Sequence, residues 1–353
     1  MGYGKYLAYR LSNALLVLLI VTFVVSILFT KVADEQLRSS IQEQINLRVR
    51  TDPNLQKLAK SDPQALEEWK EREYKRLLHA YGLDKPYWQR VIERTKDTML
   101  LRFGDVRSAI FGETNVRKII AIAIPRTVLL FTTSSLIVMF LGLALGIKAA
   151  QKAGGLFDRA LSVFAMVTTS IPMWWFGMIL ILIFSFKLNL LPSGGMTSIP
   201  PKTGFAYYID VLKHMILPLT TIVFVSFGGW AWVTRNLMIG TLQEDFIMAA
   251  RAKGVPENRV IYGHALRATA PPIITMTIFT LLGSLNGAIL TESVFNWPGM
   301  GRLYWVAIQQ MELNLIMGLT YISVALYLIG VLLADLAYGY LDPRVKVGVS
   351  QQV

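Results

Sequence analysis

The sequence predicts an all-α integral membrane protein with six transmembrane helices and a helical extracytoplasmic insertion between the first two. Of the 353 residues, 54% are hydrophobic and only 16% are charged. The mean hydropathy of +0.46 is too high for one soluble core covered by a charged surface. Apolar runs of about the 20 residues that a bilayer requires recur along the chain. These runs cover approximately residues 11–30, 127–149, 160–186, 215–233, 273–290 and 315–338.

The N-terminal run has the charge layout of a signal peptide, because Lys5 and Arg10 precede it. It is nevertheless long enough to cross a bilayer, and it ends at Lys31 without a small-residue cleavage pattern. We therefore expect residues 1–30 to form a cytoplasmic N-terminus and a retained first span.

Residues 31–126 form the predicted insertion, in which charges of both signs are mixed. The pairs Asp52-Pro53 and Asp62-Pro63 are typical of a helix N-cap followed by the first helical turn. An apolar stripe follows Pro63 and ends before Gly82, and a further helix is expected from about Pro86. The many basic residues are compatible with an extracytoplasmic location, since long loops escape the positive-inside rule.

Basic residues in the short connections predict that both termini are cytoplasmic. They are Lys5, Arg10, Lys148, Lys152, Arg159, Arg344 and Lys346. The membrane core would then cover residues 127–341, followed by a cytoplasmic tail at residues 342–353. The loops after the third and fifth spans face outward, and the second of these contains Pro298, Gly299 and Gly301.

Helix breakers lie inside two of the predicted spans. Pro172 in the third and Pro218 in the fourth each remove a helix hydrogen bond and can kink the span. Ordinary helix packing accounts for such residues, and a role in a translocation pathway or gate is the alternative. The residues predicted for that pathway are Pro172, Trp174, Trp175, Gly228 and Gly229.

A polar island at residues 244–272 separates the fourth and fifth apolar runs, and we call it the elbow. Helical spacing predicts a small, mostly apolar face made of Phe246, Ala249, Ala250 and Lys253. Gly254 suits the left-handed position after a helix end, and the Pro that follows two residues later suits the first turn of a new helix. We expect a helix, a tight turn and a second helix. Its basic residues predict a cytoplasmic location.

Several kinds of chemistry are excluded or disfavoured. The absence of cysteine excludes disulfides, thiolate metal sites and a cysteine nucleophile. The three histidines, His79, His214 and His264, have no metal-ligand spacing, and no histidine lies within a span to activate a serine. No phosphate-binding glycine motif is present, so we expect no catalytic residue, metal or cofactor on this chain. The net charge of +12 is spread beside apolar runs, which disfavours nucleic-acid binding.

Ionisable residues are nearly absent from the predicted spans, with Asp335 as the exception. A carrier driven by protons or sodium usually needs buried acids near the bilayer midplane. A secondary carrier or channel is therefore the weaker alternative, and movement of a solute would have to be driven by a partner.

The elbow contains the stretches Ala250-Arg251-Ala252-Lys253-Gly254 and His264-Ala265-Leu266-Arg267. This pattern resembles the EAA motif of ABC importer permeases, in the variant found in peptide permeases. Further similar stretches occur at residues 9–11, 81–86, 124–127, 170–172, 217–218, 292–301 and 341–344. The likeness is closest to the dipeptide and oligopeptide (peptide/nickel) permease family, first permease type.

This resemblance implies a type I ABC importer permease fold in the cell membrane. It implies a heterodimer with a second homologous permease, two ATP-binding subunits that bind ATP and Mg, and an extracellular solute-binding protein. The elbow would be the coupling loop to the ATPase. The residues implied in that coupling are Phe246, Ala249, Ala250, Arg251, Lys253, Gly254, Glu257, Arg259 and His264.

The chain departs from the family pattern in places. Met248 replaces the acidic residue of the EAA motif, and Val32-Ala33-Asp34 replaces a Pro-Gly-Asp stretch after the first span. Because of these changes, the resemblance does not determine which substrate is transported. Di- and oligopeptides are the main expectation, and oligosaccharides or nickel chelates are the alternatives within the class. The aromatic side chains of Trp174 and Trp175 fit contact with a peptide backbone or a sugar face.

Overall fold

The computed structural model describes residues 3–341, and most of them are helical. The predicted tail at residues 342–353, with the end of the motif at residues 341–344, lies outside the described residues. Among the residues described, five helices are long and apolar enough to cross a membrane, or six if one bent pair is counted as a span. The chain is therefore a multi-pass membrane protein of the expected class.

Helix α1 (Tyr3–Thr51) contains the first span and continues about as far again beyond it. The helix therefore runs without a break through the predicted boundary at residue 30. No proline or glycine occurs between Lys5 and Thr51, so nothing ends the helix where the sequence turns polar.

Three shorter helices follow in the insertion: α2 (Pro53–Ser61), α3 (Pro63–Ala80) and α4 (Tyr87–Met99). Both predicted N-caps are confirmed, because a carboxylate oxygen of Asp52 accepts the Asn54 N–H at 2.8 Å and one of Asp62 accepts the Ala65 N–H at 3.0 Å. The insertion packs back on α1 through a cluster of apolar side chains. That cluster contains Ile41, Ile45, Trp69, Tyr74, Leu77 and Leu83.

The insertion also contains a short β-hairpin, which the sequence did not predict. Strands β1 (Asp105–Ile110) and β2 (Glu113–Asn115) pair antiparallel. Phe111 and Gly112 join them with φ values of +56° and +78°. Two central residues with positive φ are typical of the hairpin turn whose twist matches that of the strands.

Helix α5 (Val116–Gln151) is the second span. The third run is not one kinked helix, as predicted, but α6 (Leu156–Ser170) and α7 (Met173–Lys187), bent by 94°. Ile171 and Pro172 between them have extended ψ values of 124° and 122°. A proline disfavours the helical conformation of the residue before it and donates no hydrogen bond, which explains the sharp break.

Helix α8 (Phe205–Leu242) is the fourth span, and Pro218 lies inside it without ending it. The elbow begins with α9 (Asp245–Ala252), and α10 (Arg259–Gly283) is the fifth span. The predicted end of this span near residue 290 is wrong, because a turn with Gly287 at φ +67° precedes α11 (Ile289–Val294). Helices α12 (Met300–Gln309) and α13 (Leu313–Leu341) complete the chain.

Helices α5 and α8 form the centre of the bundle, and two glycines let them approach closely. A Cβ atom on Gly142 would lie 2.6 Å from the Trp230 Cβ, and one on Gly146 would lie 2.6 Å from the Ala231 carbonyl oxygen. Small residues at a helix interface allow such backbone contact within membranes.

The elbow and the insertion lie at opposite ends of the bundle. The hairpin region packs on Val116 and Ile119 at the beginning of α5, whereas the elbow packs on Ile147 and Ala150 at its end. At the elbow end of the bundle, Arg10 of α1 and Asp335 of α13 form an ion pair of 3.1 Å. The first and last helices therefore bring the described ends of the chain to the same end of the bundle.

Candidate functional site

The turn of the elbow has the geometry that the sequence predicts. Gly254 has φ +73°, and its N–H donates to the Arg251 carbonyl at 2.9 Å. The Val255 N–H donates to the Ala250 carbonyl at 3.2 Å. These two hydrogen bonds form a Schellman motif, which satisfies the last carbonyl groups of α9 and ends the helix. A Cβ atom on Gly254 would have no neighbour within 4 Å, so the left-handed backbone alone explains the need for glycine.

The second half of the elbow restarts at Pro256, whose carbonyl accepts the Arg259 and Val260 N–H groups at 2.8 and 3.1 Å. Residues Arg259–Ala265 form a wide π-helical segment that continues directly into the fifth span. Extra residues of this kind inside a helix are frequent at functional sites. The elbow is thus joined without a flexible linker to a membrane-spanning helix.

The inner face of the elbow is anchored by apolar side chains. Ile247, Ala250, Val260 and Ala265 pack against Ile147 of α5 and Met238 of α8, among others. Ala250 is buried in this cluster, so it does not lie on the exposed face with the other residues predicted for coupling. The end of α5 covers this side, which helical spacing alone does not reveal. Because two spans hold the elbow, a force on its outer face would be transmitted to both.

The outer face is exposed and carries most of the predicted coupling residues. The exposed members of that set are Phe246, Ala249, Arg251, Lys253, Gly254, Glu257, Arg259 and His264. Met248 and Tyr262 are also exposed, at 54% and 52%, beside Phe246 at 47%. The sequence prediction did not include these two residues. Large apolar side chains exposed at the end of a bundle are typical of a surface that binds another protein.

Arg251 and Glu257 form an ion pair across the turn. The Arg251 Nη2 and Nε atoms donate to the Glu257 oxygens at 2.7 and 3.2 Å. This hydrogen bonding holds the pKa of Glu257 below its usual range and raises that of Arg251. The pair connects the two helical arms on either side of Gly254. The Arg251 guanidinium therefore binds a carboxylate of its own chain, whereas the sequence had predicted that it contacts a partner subunit.

A buried ion pair fixes the bundle just before the elbow. Arg235 of α8 donates from Nε and Nη2 to the two oxygens of Asp158 at 2.6 and 2.7 Å, and the Gly154 N–H donates to the same carboxylate at 2.7 Å. Asp158 is only 2% exposed. Both residues lie within membrane-region helices but just outside the predicted spans. The ionisable residues counted within the predicted spans therefore did not include this pair.

The residues predicted for a pathway surround the bend between α6 and α7. Pro172 and Trp175 are exposed, and Trp174 is half-buried at the start of α7. A Cβ atom on Gly228 would lie 2.8 Å from the Thr168 Oγ1, and one on Gly229 would lie 3.3 Å from the Thr169 Cγ2. The two glycines therefore allow α8 to contact α6 beside the bend.

The predicted outward loop with Pro298, Gly299 and Gly301 is a largely buried turn between α11 and α12. Glu292, which the sequence did not single out as buried, lies at its centre. One carboxylate oxygen accepts the Thr127 hydroxyl at 2.9 Å, and the other accepts the Arg302 N–H at 3.0 Å. A Cβ atom on Gly299 would lie 2.5 Å from this carboxylate. Burial raises the pKa of Glu292 to about 7, against the lowering effect of these donors.

This turn ties α11 and α12 to the second span. The indole N–H of the fully buried Trp297 donates to the Arg126 carbonyl at 2.9 Å, and the Met300 N–H donates to Thr127 Oγ1 at 2.7 Å. We call residues 292–301 the Glu292 latch. Across residues 3–341, no group of three or more metal-ligating side chains is placed to hold an ion.

Known proteins with similar sequences are membrane components of transport systems. A family model described as binding-protein-dependent transport system inner membrane component matches residues 142–347. The chain is 30% identical over 295 residues to the oligopeptide transport system permease protein AppB of Bacillus subtilis (strain 168), covering 83% of this chain and 92% of that protein.

Two further relatives have similar descriptions. The dipeptide transport system permease protein DppB of Escherichia coli (strain K12) is 32% identical over 288 residues, covering 76% of this chain and 84% of that protein. A putative peptide permease protein of Brucella suis biovar 1 (strain 1330) is 38% identical over 240 residues, covering 67% of this chain and 73% of that protein. The matched family region contains the bend, the elbow and the Glu292 latch.

Proposed function

The chain belongs to the family of binding-protein-dependent transport system inner membrane components, and on that premise we propose that it is a permease subunit of an ATP-driven peptide importer. It forms half of a translocation pathway together with a second, homologous permease. Two ATP-binding subunits bind ATP and Mg and supply the energy, and an extracellular solute-binding protein delivers the cargo.

The main observation in support of this proposal is the exposed outer face of the elbow. It presents Phe246, Met248 and Tyr262 together with Lys253 and Arg259, while its inner face is packed on the ends of α5 and α8. An apolar patch with a basic rim fits a groove with a carboxylate-bearing edge on a soluble protein. These features support the elbow as the coupling site to an ATP-binding subunit, and in this proposal its end of the bundle faces the cytoplasm.

Rigid helices and one ion pair between them transmit a movement of the elbow to the translocation pathway. The π-helical segment joins the elbow to the fifth span, and the Asp158–Arg235 ion pair joins α8 to the first turn of α6, the helix that ends at the bend at Pro172. Closure of the ATP-binding subunits moves the elbows of the two permeases together. The bend region then opens outward, which is a rigid-body change of the kind known for packed helices.

Dipeptides and oligopeptides are the proposed cargo. The relatives named above are described as oligopeptide, dipeptide and peptide permeases. The exposed and half-buried indoles of Trp175 and Trp174 beside the bend offer flat surfaces for contact with peptide groups.

A co-purification experiment tests the coupling site. Full-length chain, co-expressed with its second permease and a tagged ATP-binding subunit, is purified through the tag from wild type and from the double variant Phe246→Asp, Tyr262→Asp. We expect the variant to insert into the membrane but to lose the ATP-binding subunit, because two carboxylates replace the exposed apolar contacts. Undiminished co-purification of the variant would contradict the proposal.

The matched control is Phe205→Asp, which changes an equally large exposed aromatic side chain at the opposite end of α8. This variant should retain the ATP-binding subunit. Uptake of labelled di- and tripeptides by the same cells then tests the cargo separately from the docking.

A further inference from the structure

A charged cavity lies where the insertion meets the membrane-spanning helices, far from the elbow and the bend. Its volume is about 370 Å³, and it lies among α1, α4 and the beginning of α13. Four basic side chains and three carboxylates line it. They are Lys85, Arg90, Arg94 and Arg102 together with Asp34, Glu93 and Asp97.

Part of this charge is neutralised within the cavity wall. Arg90 Nη2 donates to the Asp34 carboxylate in a mostly buried ion pair, and the Lys85 ammonium lies 2.8 Å from the Glu93 carboxylate. Arg94 is different. Its Nη1 atom makes only long contacts, to the Phe29 carbonyl at 3.4 Å and to a sulfur atom at 3.9 Å.

The cavity therefore presents hydrogen-bond donors that lack acceptors. In the structure of residues 3–341, the Arg94 Nε and Nη2 atoms make no hydrogen bond, and the buried Arg90 Nε has none either. Burial lowers the pKa of Arg94 from its ordinary value, because the guanidinium has lost much of its hydration. A buried donor without a partner costs free energy, and an oxyanion that accepts several N–H groups removes that cost.

The depth of the cavity indicates the source of such an anion. Arg94 contacts the Phe29 carbonyl, and the Tyr87 hydroxyl donates to the Ile27 carbonyl at 2.8 Å. Both carbonyl groups belong to the last turn of the apolar run of α1, just before Lys31. The cavity thus lies where the hydrocarbon core ends, which is the level of the phosphate groups of a bilayer.

An apolar groove continues from the cavity toward the membrane interior. The groove shares Thr98 and Met317 with the cavity. It runs between α1 and α13 and is lined there by Val21, Thr22, Val25, Thr320, Tyr321 and Val324. The groove itself holds only about 10 Å³, which is too little for an acyl chain, so the apolar part of a bound lipid would lie on the bilayer-facing surface of these helices.

We propose that Arg94, Arg90 and Arg102 bind the phosphate group of an anionic phospholipid in this cavity, with its acyl chains in the surrounding bilayer. The bound lipid connects the insertion to the first and last spans. The site is independent of the proposed coupling and cargo, since it involves neither the elbow nor the bend.

Native mass spectrometry of the full-length chain in detergent tests the proposal. The chain is exchanged into mixed micelles containing phosphatidylglycerol or phosphatidylcholine, and retained lipid is counted for wild type, Arg94→Gln, Arg94→Lys and Arg72→Gln. Arg72 is the matched control, because it is an exposed arginine on α3 of the same insertion. A third arm replaces the lipid by inorganic phosphate and measures the thermal unfolding midpoint.

We expect wild type and Arg72→Gln to retain phosphatidylglycerol, and Arg94→Gln to retain it at least about tenfold less, because a charge-assisted hydrogen bond is lost. Arg94→Lys should retain an intermediate amount. Phosphatidylglycerol should also raise the unfolding midpoint of wild type above that in phosphatidylcholine, a comparison that needs no variant to fold. Equal midpoints in the two lipids, or full retention by Arg94→Gln, would overturn the site. Stabilisation by inorganic phosphate equal to that by phosphatidylglycerol would overturn the assignment to a lipid.

Discussion

Replacing Gly254 by alanine adds a single methyl group at a position where nothing lies within 4 Å of it. Any effect must therefore come from the backbone, which has φ +73° at this residue. For an L-residue the left-handed conformation costs about 1 to 2 kcal/mol. In the free elbow the exposed turn can relax away from this conformation. Docking on an ATP-binding subunit has to restore the left-handed conformation, so the free energy of docking becomes less favourable by this amount.

The expected magnitude follows from that cost. About 1 to 2 kcal/mol corresponds to a factor of about 5 to 30 in an equilibrium constant, so Gly254→Ala should weaken docking by this factor. Gly254→Asn should have the smallest effect, because asparagine tolerates the left-handed region, and Gly254→Val the largest, because it is β-branched. Insertion into the membrane should be unchanged in all three variants.

Gly240 provides a matched control. It is exposed near the end of α8, and an added Cβ atom would also find nothing within 4 Å, but its backbone is helical. Gly240→Ala should therefore dock and transport as wild type does. The assay is titration of the purified permease pair with the ATP-binding subunit, followed by ATP-dependent peptide uptake in proteoliposomes. Wild-type docking and uptake by Gly254→Val would refute the reasoning.

Three further perturbations test other parts of the structure. Arg251→Glu or Glu257→Arg should each reduce coupled uptake only a few-fold, because exposed ion pairs contribute about 0 to 1 kcal/mol. The double variant, in which the two charges are exchanged, should restore uptake. If the double variant does not recover, the ion pair does not act by connecting the two arms of the elbow. Asp158→Asn should lower the thermal unfolding midpoint strongly, because breaking a buried ion pair and leaving the Arg235 charge without its carboxylate costs about 3 to 5 kcal/mol. An unchanged midpoint would show that Arg235 pairs with another group. Because the pKa of Glu292 is raised to about 7 in the folded chain, the folded state binds more protons than the unfolded state above the ordinary value of about 4.5. The contribution of Glu292 to stability should therefore be complete below pH ~4.5 and be lost as the pH rises through about 7, so the stability of wild type relative to Glu292→Gln should fall over this window; a pH-independent difference between the two would contradict the assignment.

The local parts of the elbow could be predicted from the sequence. The left-handed turn at Gly254 and the restart at Pro256 depend on the backbone preferences of those residues themselves. The N-caps at Asp52 and Asp62 are local in the same sense. The long first helix could also have been inferred, because no breaker separates the apolar run from Thr51.

Features that depend on distant partners were not predictable. Asp158 and Arg235 are 77 residues apart, and Glu292 and Thr127 are 165 residues apart. Nothing in either local sequence indicates which groups meet. Ala250 was grouped with Phe246 and Ala249 because helical spacing identifies an apolar side but not the neighbour that covers part of it. The family, by contrast, was identified correctly from the elbow together with motifs along the chain, and the family match confirms it.

The central claim is that the elbow faces the cytoplasm and receives an ATP-binding subunit. Because the chain contains no cysteine, Ala249→Cys introduces a single thiol on the exposed face of α9. We predict that a membrane-impermeant maleimide labels this thiol in inside-out vesicles but not in intact cells, and that the ATP-binding subunit protects it. Labelling in intact cells, or labelling in inside-out vesicles that the ATP-binding subunit does not reduce, would contradict the claim.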